Sequence, residues 1–347
     1  TWSHPSGVQD VSVRVQVVQI AAQPKKRNVG LQQRFLVAAT WAVLSSVLAQ
    51  PHPMSIEALR QGRYPGSAIT LEQTLAPAAN YRRHIASYRS EGLKIYGLLT
   101  IPSGTRPKAG WPAIVFVHGY IPPAQYRTTE RYGAYVDGLA RAGYIVFKID
   151  LRGHGNSEGS ASGAYWSPDY TIDTLNAFAS LRRFPEANPE RIGMWGHSMG
   201  GYLTLRAMTV EPRIRAGVIW AGVVGTYEDL LYRWRRSPPA QAQIPPGALR
   251  RRELFLARYG SPQSNPDFWD SITAHNYLER VSPIQLHHGL ADTVVPVSFS
   301  QRLAQRLREA GRPYELYTYP GNDHNLSQSF SLAMRRSVAY FDRYLKR

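Results

Sequence analysis

Ala113-Ile-Val-Phe-Val117 contains no polar side chain, and a run of that kind is stable as a strand only when both of its faces are covered. Tyr144-Ile-Val-Phe-Lys-Ile149 repeats the pattern with a single lysine, as do 191–195, 216–220 and 284–287, while 314–319 alternates more weakly. Helical periodicity falls between these runs, over 132–142, 172–183, 201–208, 298–310 and 331–345. Strands that alternate with helices build a doubly wound, mostly parallel sheet, so the expected class is α/β. Ahead of this pattern, 88–101 alternates as a hairpin with Glu91-Gly92 at its turn.

The rhythm breaks over 224–278, which is rich in Trp, Tyr, Arg and Pro and holds no strong strand. An insertion between sheet elements commonly forms a lid or a substrate wall, so this stretch is expected to be a cap. The chain then divides into an N-terminal extension over 1–49, a segment with the hairpin over 50–110, and a catalytic domain over 111–347 that carries the cap.

The extension reads as a secretory signal. Lys25-Lys26-Arg27 and Arg34 precede an apolar run of about 14 residues, 35–48, and Val47-Leu48-Ala49 resembles a signal-peptidase site before Gln50. The run is short of the roughly 20 residues that cross a bilayer, so no permanent membrane span is expected and the location is secreted or periplasmic.

Forty-one basic residues against 24 acidic ones give a net charge of +17. The arginines are scattered, with short clusters at 235–236 and 250–252, and carry no nucleic-acid-binding signature; no nucleic-acid partner is expected. There is no cysteine, which excludes disulfides, thiolate catalysis and zinc sites built on thiolates. Nothing calls for a metal or an organic cofactor.

Gly196-His-Ser-Met-Gly-Gly201 lies between an expected strand and an expected helix, the setting in which G-x-S-x-G presents a serine on a sharp turn. A hydroxyl becomes a competent nucleophile when a neighbouring base takes its proton and a third group orients that base. In chain order, Asp292 follows the strand at 284–287 and His324 follows the last strand, so Ser198, Asp292 and His324 are the expected nucleophile, acid and base. Asp323 and Asp150 are the alternatives for the acid, and His287, His288 and His197 for the base. The oxyanion of acyl transfer needs amide donors; Met199, after the nucleophile, and Tyr120, after His118-Gly119, are the candidates. His118 is expected to buttress that loop. Trp220, Trp234 and Val294 are candidate substrate contacts, with Arg235 or Arg236 placed to meet an anionic group. Asp150-Leu-Arg-Gly-His-Gly lacks nucleotide-binding spacing and reads as a structural turn.

On these motifs, together with Val117-His-Gly-Tyr120, His288-Gly-Leu-Ala-Asp292 and Asp323-His324, the stretch 111–347 resembles the α/β-hydrolase domain of the prolyl oligopeptidase family, peptidase family S9, and is similar to dienelactone-hydrolase-like esterases. The resemblance implies a serine hydrolase that cleaves carboxylic esters, small amides or peptides through an acyl-enzyme. A serine exopeptidase or oligopeptidase, an acyltransferase, and an inactive binding module are the other readings. The stretch between Ala49 and Trp111 is too short for the β-propeller of the family's large oligopeptidases, and Tyr120 stands where many relatives have a second glycine.

Protein recovered from the medium or periplasm of its natural host is expected to begin near Gln50. Intact-mass measurement checks this, and cytoplasmic protein that retains 35–49 contradicts it.

Overall fold

The unbroken apolar runs become the centre of one sheet in the computed structural model, which describes residues 51–234 and 247–347. The extension over 1–49 lies outside the described residues, as do Arg235 and Arg236. The strands are β1 (Thr70–Leu75), β2 (Tyr81–Ser90), β3 (Leu93–Pro102), β4 (Trp111–Val117), β5 (Ile145–Ile149), β6 (Ala187–His197), β7 (Gly217–Trp220), β8 (Ile284–Gly289) and β9 (Tyr314–Tyr319). Their spatial order is β1-β2-β3-β5-β4-β6-β7-β8-β9. β1 to β3 and the β3 to β5 contact are antiparallel; every pairing from β5 to β9 is parallel.

Pleating explains why the runs lack polar residues. Val115 and Val117 point into one apolar layer with Phe147, Met194 and Ile219, whereas Ile114 and Phe116 point into the opposite layer with Val146, Trp195 and Val218. The first layer is covered by α3 (Asp169–Arg182), α4 (Met199–Val210) and α7 (Val297–Glu309), and the second by α2 (Gly133–Arg141) and α8 (Phe330–Leu345). Full burial of each such side chain contributes about 1.5–3 kcal/mol.

Glu91 and Gly92 both adopt positive φ, 50° and 83°, as the two central residues of a tight hairpin require, and Ser90 pairs with Leu93 across the turn. β1 was not expected. It is almost wholly exposed and has no apolar alternation, and it is held by its ladder to β2. The short helix α1 (Ile56–Gln61), capped by the Ser55 hydroxyl on the Ala58 amide, was also unforeseen.

The described parts of 224–278 contain no strand. They form a π-helical turn (Asp229–Arg233), α5 (Ala248–Tyr259), α6 (Pro266–Ile272) and the start of a 3-10 segment (Ala274–Arg280). Tyr227, Leu231, Phe255, Trp269 and Ile272 gather with Met54 in a separate apolar cluster, so the insertion carries its own small core.

Trp220 corrects an expectation. As the last residue of β7 it points into the layer under α8, fully buried against Trp195 and Phe330, and its indole N–H donates to Ser337 Oγ at 3.0 Å. Strand parity makes it a core residue and removes it from the substrate contacts.

The turn after β6 is packed backbone on backbone. A β-carbon on Gly200 would lie 2.0 Å from the Val117 carbonyl oxygen, while one on Gly133, at the start of α2, would meet nothing within 4 Å. Gly200→Ala is therefore expected to cost about 3 kcal/mol or more. Gly133→Ala should be neutral or stabilise by about 0.4–1 kcal/mol. Urea-unfolding midpoints distinguish the two.

Candidate active site

Parallel strands deliver their following loops to one edge, and the order of strand addition reverses at β4, which has β5 on one side and β6 on the other, where such sheets open a crevice. Tyr120 follows β4 and Ser198 follows β6, on the two sides of that crevice. Ser198 has φ 55° and ψ −117°, a conformation disfavoured for a residue with a β-carbon. Its N–H donates to the Trp220 carbonyl at 3.0 Å, and its own carbonyl accepts the amides of Gly201 and Val223, each at 3.0 Å. Met199 begins α4 directly after it.

Asp292 leaves β8 in a loop that closes around its carboxylate. Oδ1 accepts the amides of Val294 at 2.8 Å and Val295 at 2.9 Å, and Oδ2 accepts His324 Nδ1–H at 2.7 Å, with His288 Nε2 at 3.2 Å. Burial alone would raise this acid. The hydrogen bonds from His288, His324 and the Val295 amide outweigh burial and hold it well below the usual carboxylate range. A carboxylate only accepts, so His324 Nδ1 carries a hydrogen, and Nε2 is the ring nitrogen that this tautomer leaves to accept a proton.

The alternatives for the acid are bound elsewhere. Asp323 accepts the Asn325 and Ser327 amides of its own loop, and Asp150 takes hydrogen bonds from Tyr126 and Thr128. Arg152 in the same turn clasps Asp173 of α3 at 2.7 Å, which makes the Asp150-Leu-Arg-Gly stretch a structural anchor. His287 is bound by Tyr319 and Gln285 in the core. His288 has a role that its position in the motif did not signal: its Nε2–H serves the Val295 carbonyl and Asp292 together, and its Nδ1 accepts from Ser300.

His118 is buried, and burial pushes its pKa down to about 3, so the ring is neutral. Its Nδ1–H donates to the Gly119 carbonyl at 2.6 Å. A trans peptide is planar, so pinning that carbonyl directs the Tyr120 N–H to the opposite side. Tyr120 itself is half-buried against the core. Trp234 and Val294 come together: the Trp234 indole N–H donates to the Val294 carbonyl at 2.8 Å.

Two family models and several known proteins are similar to this chain. The family described as serine aminopeptidase, S33, matches residues 111–249, and the prolyl oligopeptidase family matches 252–347. A protein of Bacillus subtilis (strain 168), called uncharacterized peptidase YtmA, is 24% identical over 251 residues, covering 72% of this chain and 88% of its own length. Esterase YjfP of Escherichia coli (strain K12) is 28% identical over 248 residues, 67% of this chain and 89% of its own. Of several longer peptidases the chain spans only between 24% and 35%. The acetyl xylan esterase from Paenibacillus sp. R4 shares the fold, with a TM-score of 0.61 at 19% identity, covering 82% of this chain and 92% of that one. The chain is a serine hydrolase of the α/β-hydrolase class. Within that class it is like the catalytic domains of the prolyl oligopeptidase family, and both peptidases and esterases are among its relatives.

A carboxylate held ionised by the fold stabilises it above the unfolded pKa of about 3.9, and that contribution fades as pH falls toward the lower folded value. The stability difference between the wild type and Asp292→Asn should therefore be full at pH 7 and shrink below pH 4. Denaturant unfolding across that range checks it; a difference that grows on acidification would contradict the hydrogen-bond geometry.

Proposed function

We propose that this chain hydrolyses carboxylic esters, and small amides or peptides, through an acyl-enzyme on Ser198. Ser198 Oγ attacks the carbonyl carbon while His324 Nε2 takes its proton, and Asp292 holds the imidazole in the required tautomer and stabilises the imidazolium. The oxyanion is met by the N–H groups of Met199 and Tyr120, aimed before substrate arrives. The protonated His324 then gives its proton to the leaving alcohol or amine, and water repeats the sequence to release the acid. The observation that carries this reading is the 2.7 Å Asp292 to His324 hydrogen bond, made at the strand ends that also present Ser198.

The half-buried pair of Trp234 and Val294 supports an apolar wall beside the catalytic acid, with the helical insertion as a cap that selects the acyl or leaving group. Such a wall suits a small ester or a short aminoacyl compound.

Ser198→Ala is expected to abolish both turnover of nitrophenyl esters and labelling by a fluorophosphonate, with an unchanged circular dichroism spectrum. Retention of more than about a hundredth of the activity would overturn the assignment. Nitrophenyl esters compared with aminoacyl anilides rank the substrate classes, and an added alcohol that diverts the acyl group would mark an acyltransferase.

A further inference from the structure

Four segments distant in sequence meet behind Ser198 through hydrogen bonds that the catalytic steps do not use. The Gly119 N–H donates to the Tyr132 hydroxyl at 2.9 Å. The Tyr132 oxygen lies 2.6 Å from His197 Nδ1, and His197 Nε2 lies 3.0 Å from the backbone carbonyl of His324. One assignment of protons satisfies the whole chain. A carbonyl only accepts, so His197 carries its hydrogen on Nε2; its bare Nδ1 then accepts from the Tyr132 O–H, whose oxygen accepts from Gly119. Burial and the neighbouring His324 push His197 down to about 3, so it keeps this neutral tautomer over the working range.

The surroundings are built for this contact. Tyr132 has φ 56° and follows Arg131 at φ 58°, two successive left-handed residues without glycine, which turns its side chain inward just ahead of α2. A β-carbon on Gly119 would lie 2.5 Å from the Tyr132 oxygen and 3.1 Å from His197 Nδ1, so glycine is what admits the approach. The His197 and His324 rings lie 4.7 Å apart.

We propose that Tyr132 and His197 are positioning residues, a polar bridge that holds the Tyr120 oxyanion loop and the His324 loop in register on either side of the nucleophile. This rests on the triad reading above. His197 precedes Ser198 and is the last residue of β6, so the bridge is referenced to the sheet itself. Neither side chain touches substrate. Tyr132 acts through Gly119, next to the Tyr120 amide, and His197 through the backbone of His324, so their removal is felt in the transition state and not in substrate affinity.

Steady-state kinetics with a nitrophenyl ester tests the bridge in the full chain. Tyr132→Phe keeps the ring and removes the hydroxyl; kcat should fall about tenfold or more while KM stays within about twofold. His197→Gln keeps a donor for the His324 carbonyl and should retain several times the kcat of His197→Leu. The double variant Tyr132→Phe/His197→Leu should be no slower than the worse single one, because both changes break one chain. The proposal is overturned by a folded Tyr132→Phe with wild-type kcat, by losses that multiply in the double variant, or by a loss confined to KM. If Tyr132→Phe lacks a cooperative unfolding transition, equal kcat in His197→Gln and His197→Leu overturns it instead. Fluorophosphonate labelling of the wild type at Ser198 separates the two readings: absent labelling refutes the triad and the bridge with it, whereas labelling with unaffected bridge variants refutes the bridge alone.

Discussion

The active edge of the sheet depends on one serine held in a backbone conformation that its own β-carbon disfavours. Strain of this kind costs about 1–3 kcal/mol and persists only where the surroundings fix it. At Ser198 they do so from both sides of the peptide: its N–H is committed to β7 through Trp220, and its carbonyl gathers the amides of Gly201, Tyr202 and Val223. With each bond contributing about 0.5–1.5 kcal/mol net, the four together offset the strain. The same tight turn requires glycine beside it, since a β-carbon on Gly196 would lie 2.3 Å from the Gly200 oxygen. Ser198, the proposed nucleophile, is thus placed by the sheet before the side chains of Asp292 and His324 are considered.

Electrostatics imposes a second constraint. Asp292 has no exposed side-chain surface, and an isolated buried carboxylate would take up a proton and lose its power to orient a histidine. Two amides and two imidazoles supply the hydrogen bonds that water no longer gives. His288 matters here because its Nδ1 is tied to Ser300 of α7, so the donor reaching Asp292 is itself fixed by the scaffold. The charge is kept where an imidazolium would form.

What could be read from the sequence was whatever is encoded over a few neighbouring residues. The two-face burial of β4 and β5 is written in uninterrupted apolar runs, the hairpin in Glu91-Gly92, and the serine turn in closely spaced glycines. β1 could not be read, because its stability lies in the ladder to β2 and its side chains face water. The helices of the insertion were hidden by aromatic residues that pack against one another and against Met54, His52 and Trp166. Tyr132 and His197 were the least visible of all. Nothing in either local sequence says that two polar groups 65 residues apart face one another.

The two tryptophans show where composition stops being informative. Both follow the serine turn, yet Trp220 is turned by strand parity into the layer beneath the sheet, while Trp234, already off the strand, donates to the Val294 carbonyl and packs its ring against Tyr165 and Phe299. That carbonyl belongs to the residue whose amide donates to Asp292 at 2.8 Å. One loop residue therefore faces Asp292 through its N–H and the insertion through its C=O. A displacement of the insertion large enough to strain the Trp234 bond would be transmitted to the acid's own hydrogen-bonding shell. On the proposed reading, substrate selection and chemistry meet at the peptide groups of Val294, and a change to the wall reaches the charge behind it.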